Sequence, residues 1–310
     1  MSKIAFLFAG QGSQYVGMGR ELFENNETVR NVFNIADQEL GFPLSKRCFD
    51  GPKEELDITE NTQPAVLTVS VAAYKALQDY GIQPDLAAGL SLGEYSALVC
   101  SGALDFSEAV KLVRQRGKYM QEAVPQGEGG MVAILGLEAD KVEEACRLAA
   151  VEGVVQVANY NCPGQIVIAG QKKALELASV KAGELGAKRV IPLDVSGPFH
   201  TGLLQPAAEK LRLDLDKVAF QTLLIPVISN VTADYIQDGQ VQDLLPRQVM
   251  NPVLWEMTIR KMLQEGVDTF VEIGPGSALR GFVKKIDRKA KLFNVEDMTS
   301  LKTAVEHFKS

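Results

Sequence analysis

The sequence predicts an α/β protein: a mostly parallel sheet flanked by helices, carrying a smaller inserted unit. Three observations predict it. Residues 4–9 (IAFLFA) form a continuous apolar run ending at Gly10, the pattern of a strand buried on both faces. Short apolar runs then alternate with helical periodicity in the first and last thirds of the chain, which implies strands joined by crossover helices. Between 131 and 195 the texture changes to β-α-β-β-α-β, bounded by Gly127, Gly129 and Gly130 before it and Ser196-Gly197-Pro198 after it.

In chain order, helical patterns cover about 17–40 and 64–79, the second opening on Pro64 in a position suited to the first helical turn. A strand at 86–89 runs into Gly89-Leu90-Ser91-Leu92-Gly93, followed by a helix over 94–100. Another helix, 105–122, opens on Asp105, a good capping residue. The middle third reads as strand 131–137, helix 140–150, strands 154–160 and 165–170, helix 173–185 and strand 189–195, the order of a ferredoxin-like unit. The last third reads as helix 203–215, strand 225–229, helix 253–265, strand 269–273, helix 277–287 and strand 291–295. The expected division is therefore a large domain of 1–126 and 197–310, interrupted by a small one of 127–196.

The 310 residues suit two domains at about 150 each. With 46% apolar and 23% charged residues, the chain has the balance of an ordinary globular protein. A net charge of −7 argues against a nucleic-acid partner, which needs a cationic footprint. Cys48, Cys100, Cys146 and Cys162 have no C-x-x-C spacing and read as reduced thiols. With only His200 and His307 as imidazoles, no metal site is expected, nor any other cofactor. No run approaches the ~20 apolar residues of a membrane span, and the start lacks a secretory pattern. A cytoplasmic protein is expected.

The chemistry concentrates in four elements. In Gly89–Gly93, a G-x-S-x-G between strand and helix, glycines permit a turn so sharp that Ser91 is held exposed at a helix N-terminus. Serine in such a turn is either structural or a nucleophile. A nucleophile needs a base; His200, preceding a helix, is expected neutral and suited to that role, against the alternative of a core histidine. His307 reads as a surface residue of an amphipathic tail helix. On the wheel of 105–122, Arg116 falls inside the apolar arc and so requires a partner. An internal salt bridge and a clamp for a ligand carboxylate both satisfy that need. Finally, Gly10-Gln11-Gly12-Ser13-Gln14 leaves backbone N–H groups free to approach a ligand, and with the Leu92 N–H would make an oxyanion hole. It lacks the spacing of a phosphate-binding loop.

Taken together these elements resemble the malonyl-CoA:acyl carrier protein transacylases of fatty-acid synthesis. The resemblance rests on FAGQGSQYVGMG near the start, NTQPA at 61–65, GLSLGEYSAL at 89–98 and RQRG at 114–117. It continues through NYNCPGQIVIAG at 159–170, GPFH at 197–200, RQVMNPVLW at 247–255 and EIGPG at 272–276. It implies a hydrolase-like α/β domain with a ferredoxin-like insert. It also implies Ser91 as nucleophile, His200 as base, Arg116 as holder of the malonyl carboxylate, and Gln11 and Leu92 N–H as oxyanion hole. Gln63 and Phe199 would contact substrate, and Gln248 would support the histidine in place of a triad carboxylate. Leu90 departs from the family, where histidine often precedes the nucleophile. Phe199 beside His200 is typical of malonyl-using rather than branched-extender relatives.

The implied partners are a coenzyme A thioester and an acyl carrier protein, with no membrane, no nucleic acid and a monomeric enzyme. Acyl carrier proteins of the family are acidic. Residues 280–291 hold six cations (Arg280, Lys284, Lys285, Arg288, Lys289, Lys291) against Asp287, so this stretch is either a docking face or simply a solvated helix. Three rivals are weighed: a serine esterase or thioesterase using the late His307, a non-catalytic acyl-carrier-binding module of the same fold, against which Ser91, His200 and Arg116 together argue, and the same transfer serving a polyketide pathway.

Overall fold

The computed structural model describes residues 3–125 and 127–309; Gln126, the expected end of the first segment, lies outside them. Strands are β1 (Lys3–Phe8), β2 (Leu86–Gly89), β3 (Gly129–Leu135), β4 (Val155–Cys162), β5 (Gln165–Gln171), β6 (Arg189–Pro192), β7 (Val267–Ile273) and β8 (Lys291–Val295). They form two four-stranded sheets, ordered β2-β1-β7-β8 and β4-β5-β3-β6.

Every pair in the first sheet is parallel. Along β1, Phe6 and Phe8 enter one core cluster while Ala5 and Leu7 enter another, as expected of a strand covered on both faces. Phe8 lies opposite Gly89 on one side and Ile273 on the other, so three strands end level. The loops after them therefore share one end of the sheet, where open α/β sheets build their sites.

All pairs in the second sheet are antiparallel. Helices Ala139–Ala149 and Lys172–Glu184 cover one face over Val132, Ile134, Val157 and Ile168. The alternate residues Met131, Ala133, Val167 and Ala169 join the main core. The two connections to this unit touch: a Cβ on Gly129 would come within 2.7 Å of Pro198. Thr59 Oγ1 and Ser196 Oγ, 2.8 Å apart, tie the return connection to the larger unit.

Several sequence expectations are corrected. The pattern at 17–40 is two helices, Arg20–Asn25 and Glu27–Leu40, because Asn26 turns extended and caps the second by accepting from Val29 N–H at 2.9 Å. The helix expected from Pro64 starts at Thr59, with Pro64 inside it. Its first turn is anchored instead by Asn61 Nδ2 and Thr62 Oγ1, donating to the Glu55 and Leu56 carbonyls. The strand expected at 225–229 is reduced to two isolated bridges, Val227 parallel to Ala87 and Ile228 antiparallel to Tyr235. Pro226 has no N–H to continue a ladder, and only its carbonyl and the Ile228 N–H bond to Ala87. Helices Leu44–Asp50, Lys53–Leu56 and Val241–Met250 had no counterpart in the sequence reading. The first two are too short to display a period, and the third contains Pro246. Among the described residues no helix is long and apolar enough to cross a membrane.

Candidate active site

Ser91 stands two residues beyond β2, with φ 53°. The bend that holds it there excludes side chains. A Cβ on Gly89 would lie 1.9 Å from the Gly93 carbonyl carbon, and one on Gly93 would lie 2.2 Å from the Phe8 carbonyl oxygen. Helix Gly93–Cys100 starts at once, so Ser91 lies over its first turn.

His200 arrives on the loop after β6, also left-handed at φ 61°, its N–H donating to the Val249 carbonyl at 3.2 Å. Its Nε2 is 2.7 Å from Ser91 Oγ and its Nδ1 is 2.8 Å from the Gln248 carbonyl oxygen. A carbonyl only accepts, so Nδ1 carries the proton and bare Nε2 faces the hydroxyl. Burial, and then the Arg116 charge, push the imidazole pKa down to about 4. Burial beside a cation, rather than the helix that follows, is what keeps His200 neutral.

Arg116 is 1% exposed, on helix Phe106–Glu122. Nη1 donates to Gln63 Oε1 at 2.8 Å, and Nη2 donates to Gln248 Oε1 at 3.0 Å and to Ser91 Oγ at 3.2 Å. Its Nε has no hydrogen-bond partner among the described residues. Among the described residues the internal salt bridge left open by the sequence is not formed; neutral amide oxygens hold the guanidinium beside the serine. Gln63 is itself positioned by Met120, whose sulfur lies 3.5 Å from Gln63 Nε2.

A cleft of about 540 Å³ opens at Ser91 and His200, and Gln11, Phe282, Met131 and Asn159 are among the residues that line it. Phe199 lies beside His200 in its wall. The loop carrying Gln11 presses onto the serine turn: a Cβ on Gly10 would meet the Leu90 carbonyl oxygen at 2.4 Å. Among the described residues, neither the Gln11 N–H nor the Leu92 N–H is spent on a hydrogen bond. The site residues expected from sequence thus converge: five in one hydrogen-bonded cluster, with Gln11, Leu92 and Phe199 around it.

These features agree with three comparisons. The acyl transferase domain profile matches residues 5–304. The malonyl CoA-acyl carrier protein transacylase of Bacillus subtilis is 51% identical, covering 100% of this chain and 98% of its own. That of Escherichia coli K12 is 46% identical over 92% of this chain and 93% of its own. The crystal structure of the Clostridium perfringens transacylase superposes with a TM-score of 0.96 at 48% identity, covering 99% and 98% of the two chains.

The chain belongs to the malonyl-CoA:acyl carrier protein transacylase family.

Another transacylase structure, solved in complex with a type II PKS acyl-carrier protein, matches at TM-score 0.97 and 44% identity, over 99% of this chain and 100% of its own. In the present transacylase, two residues that sequence reasoning missed complete the site. Asn230 accepts from the Ser91 N–H through Oδ1 at 2.6 Å and donates through Nδ2 to the Gly89 carbonyl at 2.7 Å. Glu94, fully buried, accepts through Oε2 from Gln248 Nε2 at 2.7 Å and from the Asn230 N–H at 3.1 Å. Gln248 Nε2 also donates to the Ser91 carbonyl at 2.9 Å. Glu94 did carry a signal, as the one charged residue in the otherwise uncharged helix Gly93–Cys100. Asn230 sits in a loop with no periodicity and gave none.

Proposed function

We propose that this protein transfers malonyl from coenzyme A to the phosphopantetheine thiol of an acyl carrier protein through a malonyl-serine ester. The observation that carries the reading is the contact set of one hydroxyl: Ser91 Oγ touches both a bare imidazole nitrogen and a guanidinium. The first suits deprotonation, the second suits recognition of an acyl group ending in a carboxylate.

In the first half-reaction Ser91 Oγ attacks the thioester carbonyl while its proton passes to His200 Nε2. The C=O electron pair moves to oxygen, which rests on the Gln11 and Leu92 N–H groups. Collapse of the tetrahedral intermediate breaks the C–S bond, and coenzyme A leaves as thiol with the proton from Nε2. The carrier-protein thiol then gives its proton to His200, attacks the malonyl ester and expels Ser91 Oγ, which recovers the proton. The imidazolium formed in each half is steadied by the Gln248 carbonyl, the part that a carboxylate plays in a triad. Arg116 selects: an acetyl group would leave a buried guanidinium without its anion. Phe199 and Gln63 shape and support that pocket.

The architecture fits this reading as a hydrolase-like parallel domain (1–126 and 197–310) with a ferredoxin-like domain (127–196) closing the cleft. Helix Ala278–Ile286 lines the cleft through Phe282 and exposes Lys284 and Lys285 at its end, followed by exposed Arg288, Lys289 and Lys291. We assign this rim to docking of the acidic carrier protein. A monomer suffices, since one chain supplies the whole site, and the four free buried cysteines accord with a cytoplasmic setting. The esterase alternative has no comparable support, because His307 stacks on Phe293 with ring centroids 4.5 Å apart while His200 holds Ser91.

Intact mass measured after mixing with malonyl-CoA, then with acetyl-CoA, tests the proposal. A malonyl adduct that disappears on adding carrier protein is expected. Absence of any adduct, or an adduct removed only by water, would overturn it.

A further inference from the structure

Glu94 and Arg116, an acid and a base, are both buried and share no hydrogen bond or ion pair among the described residues. One side-chain amide stands between them: Gln248 Oε1 accepts from Arg116 at 3.0 Å, and Gln248 Nε2 donates to Glu94 Oε2 at 2.7 Å. The amide's negative end thus faces the cation and its positive end the anion. No salt bridge joins Arg116 to any carboxylate among the described residues; burial lowers its pKa, opposed first by Tyr95 and then by Glu94, the one carboxylate among the causes. We infer that Glu94 is the resident counter-charge of the acyl-carboxylate pocket, held one amide away from Arg116 so that the guanidinium stays unclaimed and an incoming carboxylate competes with it.

The inference rests on the reading of Arg116 as the malonyl-carboxylate ligand. A buried cation with no counter-charge is costly, and one in direct contact with a carboxylate would be unavailable. The intervening amide avoids both. Binding of malonyl places a second negative charge on one buried cation, so Glu94 gains proton affinity when the pocket fills. Burial already raises its pKa to about 7, against the Gln248 and Asn230 hydrogen bonds and the Arg116 charge. The other titratable groups that interact with it are Arg116 and Tyr95, and burial is the leading cause of the shift in both. Glu94 is accordingly a specificity-tuning positioning residue: it weakens the grip on malonyl so that the acyl-enzyme can pass its cargo on.

Glu94→Gln isolates the charge. A glutamine Oε1 can accept both hydrogen bonds now made to Oε2, and its amide nitrogen would replace Oε1, which has no hydrogen-bond partner among the described residues. The experiment titrates malonyl-CoA and acetyl-CoA into Ser91→Ala protein, with and without Glu94→Gln, by calorimetry in two buffers of different ionisation enthalpy. Near pH 8, Glu94→Gln should tighten malonyl-CoA binding about tenfold and leave acetyl-CoA unchanged. Near pH 7, malonyl-CoA should bind with proton uptake beyond that of acetyl-CoA, and Glu94→Gln should abolish the excess.

Malonyl-CoA binding that is unchanged or weaker in a variant of normal thermal stability would overturn the inference. Should the variant unfold, equal proton uptake for the two thioesters in Ser91→Ala alone would overturn it. The underlying reading fails separately, if Arg116→Ala binds malonyl-CoA as tightly as its parent does.

Discussion

Ser91 and His200, 109 positions apart in the chain, both adopt left-handed backbone conformations and meet through a 2.7 Å contact. A positive φ on a non-glycine side chain costs of order 1–3 kcal/mol and persists only where the surroundings impose it. Here those surroundings are identifiable. Asn230 holds the Ser91 N–H, and the carbonyls of Val249 and Gln248 hold the N–H and Nδ1 of His200. Both strained residues point into the cleft, which is where function spends strain.

Replacing Ser91 by alanine should abolish the covalent malonyl adduct while leaving the melting temperature within a few degrees of the parent. Among the described residues Ser91 Oγ bonds only to His200 and Arg116. Intact mass and a thermal melt check both halves.

Arg116→Ala removes a buried charged hydrogen-bonding group beside Ser91, a loss of about 1.5–3 kcal/mol per such interaction. Malonyl kcat/KM should fall roughly ten- to a hundredfold while acetyl transfer falls less or improves. Unaltered discrimination in parallel assays would refute the clamp assignment.

His200 must be neutral to take the serine proton. With its pKa lowered to about 4, the rate of malonyl loading should be insensitive to His200 down to that pH and drop tenfold per unit below it. The stability sign follows from the same shift. Unfolded histidine protonates near 6.5, so the unfolded chain binds the extra proton between about 6.5 and 4. The His200 contribution to stability is therefore full above about 6.5 and declines as the pH falls toward 4. Stopped-flow loading and denaturant melts across that range measure the two effects.

Gly93→Ala would drive a methyl group into the Phe8 carbonyl, an obstacle of backbone with no rotamer to yield. Because the serine turn, β1 and the first loop meet there, the expected loss is about 3 kcal/mol or more, together with failure to acylate. Urea unfolding decides it.

Charge reversal at Lys284 and Lys285 should slow transfer to the carrier protein about tenfold at low salt and leave loading from malonyl-CoA unaffected. The difference should vanish at high ionic strength, where steering is screened. An unchanged second half-reaction at low salt would remove this helix from the docking surface.

The sequence by itself determined the elements whose signal is local. The alternation of strands and helices, the βαββαβ stretch, the serine turn and the buried position of Arg116 are all written in residues near one another. Glycine at 89 and 93 is a direct imprint of backbone crowding, so the turn was legible before the fold. What only the tertiary structure decided are the contacts that close over long separations. The carbonyl that orients His200, the Asn230 clamp on Ser91 and the amide between Glu94 and Arg116 involve residues 48 to 154 positions apart. A neutral side chain such as Asn230 or Gln248 carries no periodicity that marks it, and Glu94 looks like any helical glutamate until burial removes its water. Local pattern records what the backbone must do, whereas electrostatic pairing depends on which groups the fold desolvates together.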